Sequence, residues 1–120
     1  MDEHAVPVLR VSPGSRSLKF YGRLGFEVEW EHRFRHDLPL FASIRRGSWH
    51  LFLSEHAGDA RPNGLVYLYA DDVDALHVDW RSAGVVSGRP QDRPWGMREL
   101  ELVDPDGNRL RFGSSAQAHN

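Results

Sequence analysis

The sequence predicts an α+β fold made by repeating one strand–helix–strands unit. Two observations predict it. First, the halves correspond at a constant offset of 59 residues: Leu9 falls on Leu68, Tyr21 on Trp80, Gly25 on Gly84, Leu51 on Leu110 and Leu53 on Phe112. Constant spacing through both halves marks a duplicated supersecondary unit. Second, each half passes from a short β-rich run to one helical period and then to strand-like alternation. A chain of 120 residues has room for one domain, made here of two modules over about 4–56 and 64–114.

The first module opens with a β-rich run, Val6 to Val11, and turns at Ser12-Pro13 into a helix that starts near Gly14 or Ser15. Leu18, Tyr21 and Leu24 are expected on its buried face, and Gly25 is its stop, because φ > 0 costs glycine nothing. From Phe26 to Glu31 apolar and acidic residues alternate, the pattern of a half-buried strand with Glu27, Glu29 and Glu31 outward. Phe41 to Arg45 and Trp49 to Ser54 flank a hairpin turn at Arg46-Gly47-Ser48. Ala57 to Gly64, rich in Gly, Asp, Pro and Asn, is the linker.

In the second module Leu65 to Ala70 is a strand, and Asp71-Asp72 supplies the N-cap of a helix. Val73, Leu76 and Trp80 line that helix, which stops at Gly84. Gly88 to Pro94 reads as a loop and Leu100-Glu101-Leu102 as a strand. Asp104-Pro105-Asp106-Gly107 is a type I turn, with Pro and Gly at its favoured positions. Asn108 to Phe112 is the last strand, and Gly113 to Asn120 is expected to fray.

Composition removes several function classes. Hydrophobic residues at 40% and charged residues at 27% argue against a disordered, collagenous or coiled-coil chain. No apolar run approaches the roughly 18 residues of a membrane helix, and the acidic start Met1-Asp2-Glu3-His4 does not read as a signal peptide. The expected setting is the cytoplasm. Without cysteine there is no disulfide, thiolate ligand or cysteine nucleophile. The net charge of −2 and scattered arginines lack the basic face of a nucleic-acid binder. His32 and His36 lie four apart in a loop, a spacing that joins two histidines on one face only in a helix. No Ser-His-Asp order is defensible.

Phe20-Tyr21…Leu24-Gly25-Phe26, followed about 80 residues later by Asp104-Pro105-Asp106-Gly107-Asn108, resembles the vicinal oxygen chelate superfamily: glyoxalases, bleomycin-resistance proteins and extradiol dioxygenases. The resemblance covers nearly the whole chain. It implies two βαβββ modules, each curling its sheet round a cavity, and a homodimer. The superfamily's enzymes hold a divalent ion with His, Gln or Glu at four strand positions, which fall here on Val6, Phe52, Leu65 and Arg111. None is a ligand, so the expectation is no metal and no cofactor.

Two further regions, Arg93-Pro94-Trp95-Gly96-Met97-Arg98-Glu99 and the strands Phe41-Ala42-Ser43-Ile44 and His50-Leu51-Phe52-Leu53-Ser54, resemble the metal-free bleomycin-resistance type. The resemblance implies a protein that sequesters a bulky, aromatic, cationic drug, stacked on aromatic rings in a groove between subunits, without catalysis. The candidate ligand-binding residues are Phe41, Ser43, His50, Phe52, Ser54, Tyr67, Tyr69, Trp95, Glu99, Glu101 and Arg111. Phe41 and Trp95 are expected to stack on the drug. His50, Phe52 and Ser54 share one strand face by the period of two, as do Tyr67 and Tyr69. Glu99 and Glu101 either face the cavity beside Arg111 or form a solvent-facing polar edge. The alternative is a metal-dependent lyase, isomerase or antibiotic-modifying enzyme of the same fold. It requires a shifted strand register, with His4, His50 or Glu101 as ligands. A third possibility is a structural module with a vestigial cavity.

Overall fold

In a computed structural model, which describes residues 2–85 and 87–116, the chain orders as ten elements. They are β1 (Val8–Arg10), α1 (Gly14–Arg23), β2 (Glu27–His32), β3 (Phe41–Arg46), β4 (Trp49–Ser54), β5 (Leu65–Tyr69), α2 (Val73–Ser82), β6 (Gln91–Asp92), β7 (Met97–Val103) and β8 (Arg109–Ser115). Two four-stranded mixed sheets result, β1-β4-β3-β2 and β5-β8-β7-β6. In each the outer parallel pair, β1 with β4 or β5 with β8, joins an antiparallel run. Two compact units follow, Met1–Gly64 with Pro105–Asn108, and Leu65–Asp104 with Arg109–Asn120.

The first unit packs α1 on one face of its sheet. Leu9, Val11, Ala42, Ile44, Leu51 and Leu53 are buried there with Tyr21 and Leu24 of the helix side. Each Leu, Ile or Val among them is worth roughly 1.5–3 kcal/mol relative to exposure. The buried stripe of α1 runs Gly14, Ser17, Tyr21, and Leu18 is only half-buried, one position off the expected face. Gly14 is where the helix closes on its surroundings: a Cβ there would stand 2.5 Å from Leu40 Cδ2. Pro13 offers no capping side chain, so Glu55, just past β4, accepts from Gly14 N–H at 2.7 Å and from Leu40 N–H at 2.7 Å. Burial pushes the Glu55 carboxyl up, but these backbone donors and Arg33 outweigh it and hold it below the ordinary range.

The Asp-Pro-Asp-Gly-Asn turn also serves this unit. Asp106 accepts from Ser12 N–H at 2.9 Å and from the buried Ser17 hydroxyl at 2.7 Å. Asn108 accepts from Gly64 N–H at 2.9 Å and donates to the Arg10 carbonyl at 2.8 Å. A buried Asn with both amide ends bonded explains why that turn carries this residue.

In the second unit Asp72 caps α2, accepting from Asp74 and Ala75 N–H. Val73, Leu76 and Trp80 bury the helix against Leu68, Leu100, Leu102, Leu110 and Phe112, with Trp80 and Phe112 rings 4.8 Å apart. Gly25 and Gly84 follow the helices at φ 94° and 79°. The expected fray at Gly113 is not found, since β8 runs on to Ser115; residues 117–120 lie outside the described residues. The loop before β7 contains the short strand β6.

Candidate functional site

In the first unit the face of the sheet opposite α1 carries Phe41 and Ser43 of β3 and His50, Phe52 and Ser54 of β4, opposed as Phe41–Ser54, Ser43–Phe52 and Arg45–His50. The edge strand β2 differs from its sequence pattern. All six of its residues are exposed rather than half-buried, and the register shifts between Val28 and Trp30. That bulge breaks the period of two. Trp30 is set opposite Ser43, on the aromatic face, and stacks on Phe41 at 5.8 Å and 14°. Its ring lies 5.6 Å from Phe52, and Phe41 and Phe52 are 5.2 Å apart. Three rings thus form one wall, with Trp30 45% exposed.

Glu29, the extra residue of the bulge, is exposed as expected and lies beside the same wall. It accepts from the Ser43 hydroxyl at 2.8 Å, meets His50 Nδ1 at 3.0 Å and pairs with Arg45 at 3.8 Å. The Ser43 and His50 hydrogen bonds lead in holding its carboxyl below the ordinary range. Ser54 is buried and directed elsewhere: its hydroxyl donates to Asp59 at 2.6 Å and accepts from His56 N–H.

In the second unit Tyr67, Tyr69, Arg109, Arg111, Glu99 and Glu101 share one sheet face through the pairs Tyr67–Arg111, Glu101–Arg111 and Glu99–Gly113. Glu99 is buried and accepts from Tyr67 Oη at 2.9 Å, Trp95 Nε1 at 3.1 Å and Arg93 Nε at 3.3 Å. Burial, then the Glu99 carboxylate, raises the Tyr67 phenol to about 12. Trp95 is 64% exposed, its N–H tethered and its ring face open, in a turn where Gly96 has φ 84°. Tyr69 meets Tyr67 edge-on at 5.3 Å. Glu101 accepts from Arg109 and Arg111, both at 3.1 Å. Burial pushes its carboxyl up, but these two bonds outweigh that and hold it low. Glu99 and Glu101 both line a cavity of about 330 Å3 with Arg89, Arg93, Arg109 and Arg111.

The four positions at which the resemblance places the metal enzymes' divalent ion, Val6, Phe52, Leu65 and Arg111, offer no cation ligand. Phe52 is packed against Trp30 and Phe41, and the Arg111 guanidinium is bonded to Glu101. Val6 and Leu65 offer no donor. Among the described residues no group of three or more His, Cys, Asp or Glu is placed to hold a metal ion. No helix among them is long and apolar enough to cross a membrane.

Paired β–α–β–β–β units, each with one sheet face on a helix, define the vicinal oxygen chelate class of fold. A family model described as "Glyoxalase superfamily protein" matches residues 1–119, and the chain belongs to that superfamily. Among solved structures, a bleomycin-binding protein complexed with bleomycin matches with TM-score 0.75 and 26% identity over 95% of this chain and 99% of its own. The bleomycin resistance determinant encoded on the transposon Tn5 matches with TM-score 0.76 and 26% identity, over 96% and 99%. Lactoylglutathione lyase from Agrobacterium tumefaciens shares the fold at 19% identity, with TM-score 0.72 over 94% of each chain. A search of curated proteins gives no match.

Sequence reasoning missed Trp30, Arg89, Arg93 and Arg109 as residues of these faces. A bulge leaves no mark in an alternating strand, so Trp30 carried no signal. Arg109 was accessible: it lies two residues from Arg111 and so on the same face.

Proposed function

We propose that this chain is an antibiotic-binding protein that holds a bulky, aromatic, cationic drug of the bleomycin kind and leaves it chemically unchanged. The observation that carries the reading is the Trp30–Phe41–Phe52 wall with the Glu29 carboxylate at its side. Flat heteroaromatic rings stack on such a wall, each pair adding about 0.5–1.5 kcal/mol beyond burial. A carboxylate held ionised beside the rings suits a cationic group. Trp95, with its ring face open, and Tyr67 and Tyr69 supply further stacking surface, and Glu99 fixes Trp95. The reading includes a homodimer, whose groove brings drug-binding residues together. A Kd near 0.1 μM corresponds to about −9.5 kcal/mol, within reach of several stacked rings.

The test is protection and recovery. The protein is added in steps to bleomycin and plasmid DNA. Nicking should stop near one protein chain per drug, and denaturing the complex should release drug of unchanged mass. Released drug of altered mass makes the protein an enzyme, and undiminished nicking removes bleomycin as its ligand.

A further inference from the structure

The cavity of the second unit carries an excess of cations. Four guanidiniums (Arg89, Arg93, Arg109 and Arg111) face two carboxylates (Glu99 and Glu101), a net charge of +2 in about 330 Å3. Both carboxylates are already engaged. Glu99 is 5% exposed and accepts from Tyr67, Trp95 and Arg93. Glu101 accepts the Nε and Nη2 groups of both Arg109 and Arg111. The arginines keep capacity. A guanidinium carries five N–H donors, and the Nη1 groups of Arg109 and Arg111 make no hydrogen bond among the described residues. Arg89 has no ion pair there and stands on the cavity's rim, exposed. Glu101 therefore orients two forks rather than offering itself to a cation.

We propose that this cavity is a subsite for an oxyanion, the carboxylate or phosphate group of a small ligand, held by Arg89, Arg109 and Arg111. Planar guanidinium forks match such groups in a bidentate way, as an ammonium does not. The inference goes beyond the antibiotic reading and stands without it. The mouth is wet, with Arg109 45% and Arg111 30% exposed, so one free phosphate binds weakly, at roughly millimolar Kd.

The probe is inorganic phosphate, read through the arginine Nε–H resonances by NMR, with sodium chloride at matched ionic strength as the control. Phosphate should shift Arg89, Arg109 and Arg111 saturably, and chloride should not. Arg89→Gln should weaken phosphate several-fold. Glu101→Gln, which removes the competing carboxylate, should tighten it by about tenfold, the scale of one charge a few ångströms away in a half-wet site. Spermidine should leave these resonances in place, and a carboxylate probe, citrate, should compete with phosphate. The proposal is overturned if chloride reproduces the shifts, if spermidine saturates the site, or if Glu101→Gln weakens phosphate while its thermal midpoint matches that of the parent.

Discussion

Tyr67 reaches Glu99 across a strand, its hydroxyl 2.9 Å from Oε2, because residue 113 between them is glycine. A Cβ at Gly113 would collide with the phenolic oxygen. The pair β5–β8 sets Tyr69 beside Gly113, and β7–β8 sets Glu99 on its other side, so the phenol crosses the one gap the sheet leaves.

Gly113→Ala should therefore displace Tyr67 and strip a donor from a buried carboxylate, at a cost of about 1–3 kcal/mol. Urea unfolding measures it. Absorbance titration should show the Tyr67 phenol falling from about 12 toward the ordinary 10. In the parent, the raised phenol stabilises the fold below pH 10, and that share is lost as pH rises toward 12. Displacement of the phenol removes this alkaline limb.

Glu55 ties α1 to the end of β4 through two backbone donors and Arg33. Its folded pKa lies below 4.5, so its stabilisation is present above 4.5 and fades as pH falls through the lower, folded value. Glu55→Gln should cost about 1–3 kcal/mol at pH 7, and the two proteins should converge in acid. Parallel thermal melts at pH 7 and pH 3 measure the difference.

Gly14→Ala meets Leu40 Cδ2 at 2.5 Å, where Leu40 is 1% exposed and cannot swing into solvent without leaving the core. Overpacking of this kind costs roughly 1–3 kcal/mol. Gly22, where an added Cβ would meet nothing within 4 Å, is the control: Gly22→Ala in the same helix should stabilise by roughly 0.5–1 kcal/mol.

Local rules served the elements well and the faces less well. Asp72 as cap, Gly25 and Gly84 as stops, and Val73, Leu76 and Trp80 as a buried stripe depend on neighbours within one turn, so the sequence contains the information. The turn at Asp104–Asn108 was readable as a turn. Its bonds to Ser12, Ser17, Gly64 and Arg10 were not, because partners about 90 or more residues away in three of the four cases leave no local pattern. Trp30 escaped for another reason. One inserted residue in β2 reverses the side that Trp30 faces, and alternation reads the same with or without it. Among the expected site residues, the Ser54 hydroxyl bonds to Asp59 rather than to a neighbour on the aromatic face.

Trp30→Ala should lower bleomycin affinity by about tenfold, the equivalent of one good ring stack near 1.4 kcal/mol, with little loss of fold since the indole is 45% exposed. Competitive displacement of a fluorescent bleomycin conjugate measures that ratio. Ser54→Ala, at a residue facing Asp59, should change stability rather than affinity.

If the exposed rings hold an aromatic cationic drug, removing one of them must cost affinity. Calorimetric titration of the purified protein with bleomycin, repeated on Trp95→Ala, reads this in one experiment. Saturation near one drug per chain is expected, with a sub-micromolar Kd and a marked loss of affinity in the variant. No heat at high micromolar drug, or an affinity left unchanged by both Trp95→Ala and Trp30→Ala, would overturn the drug-binding reading.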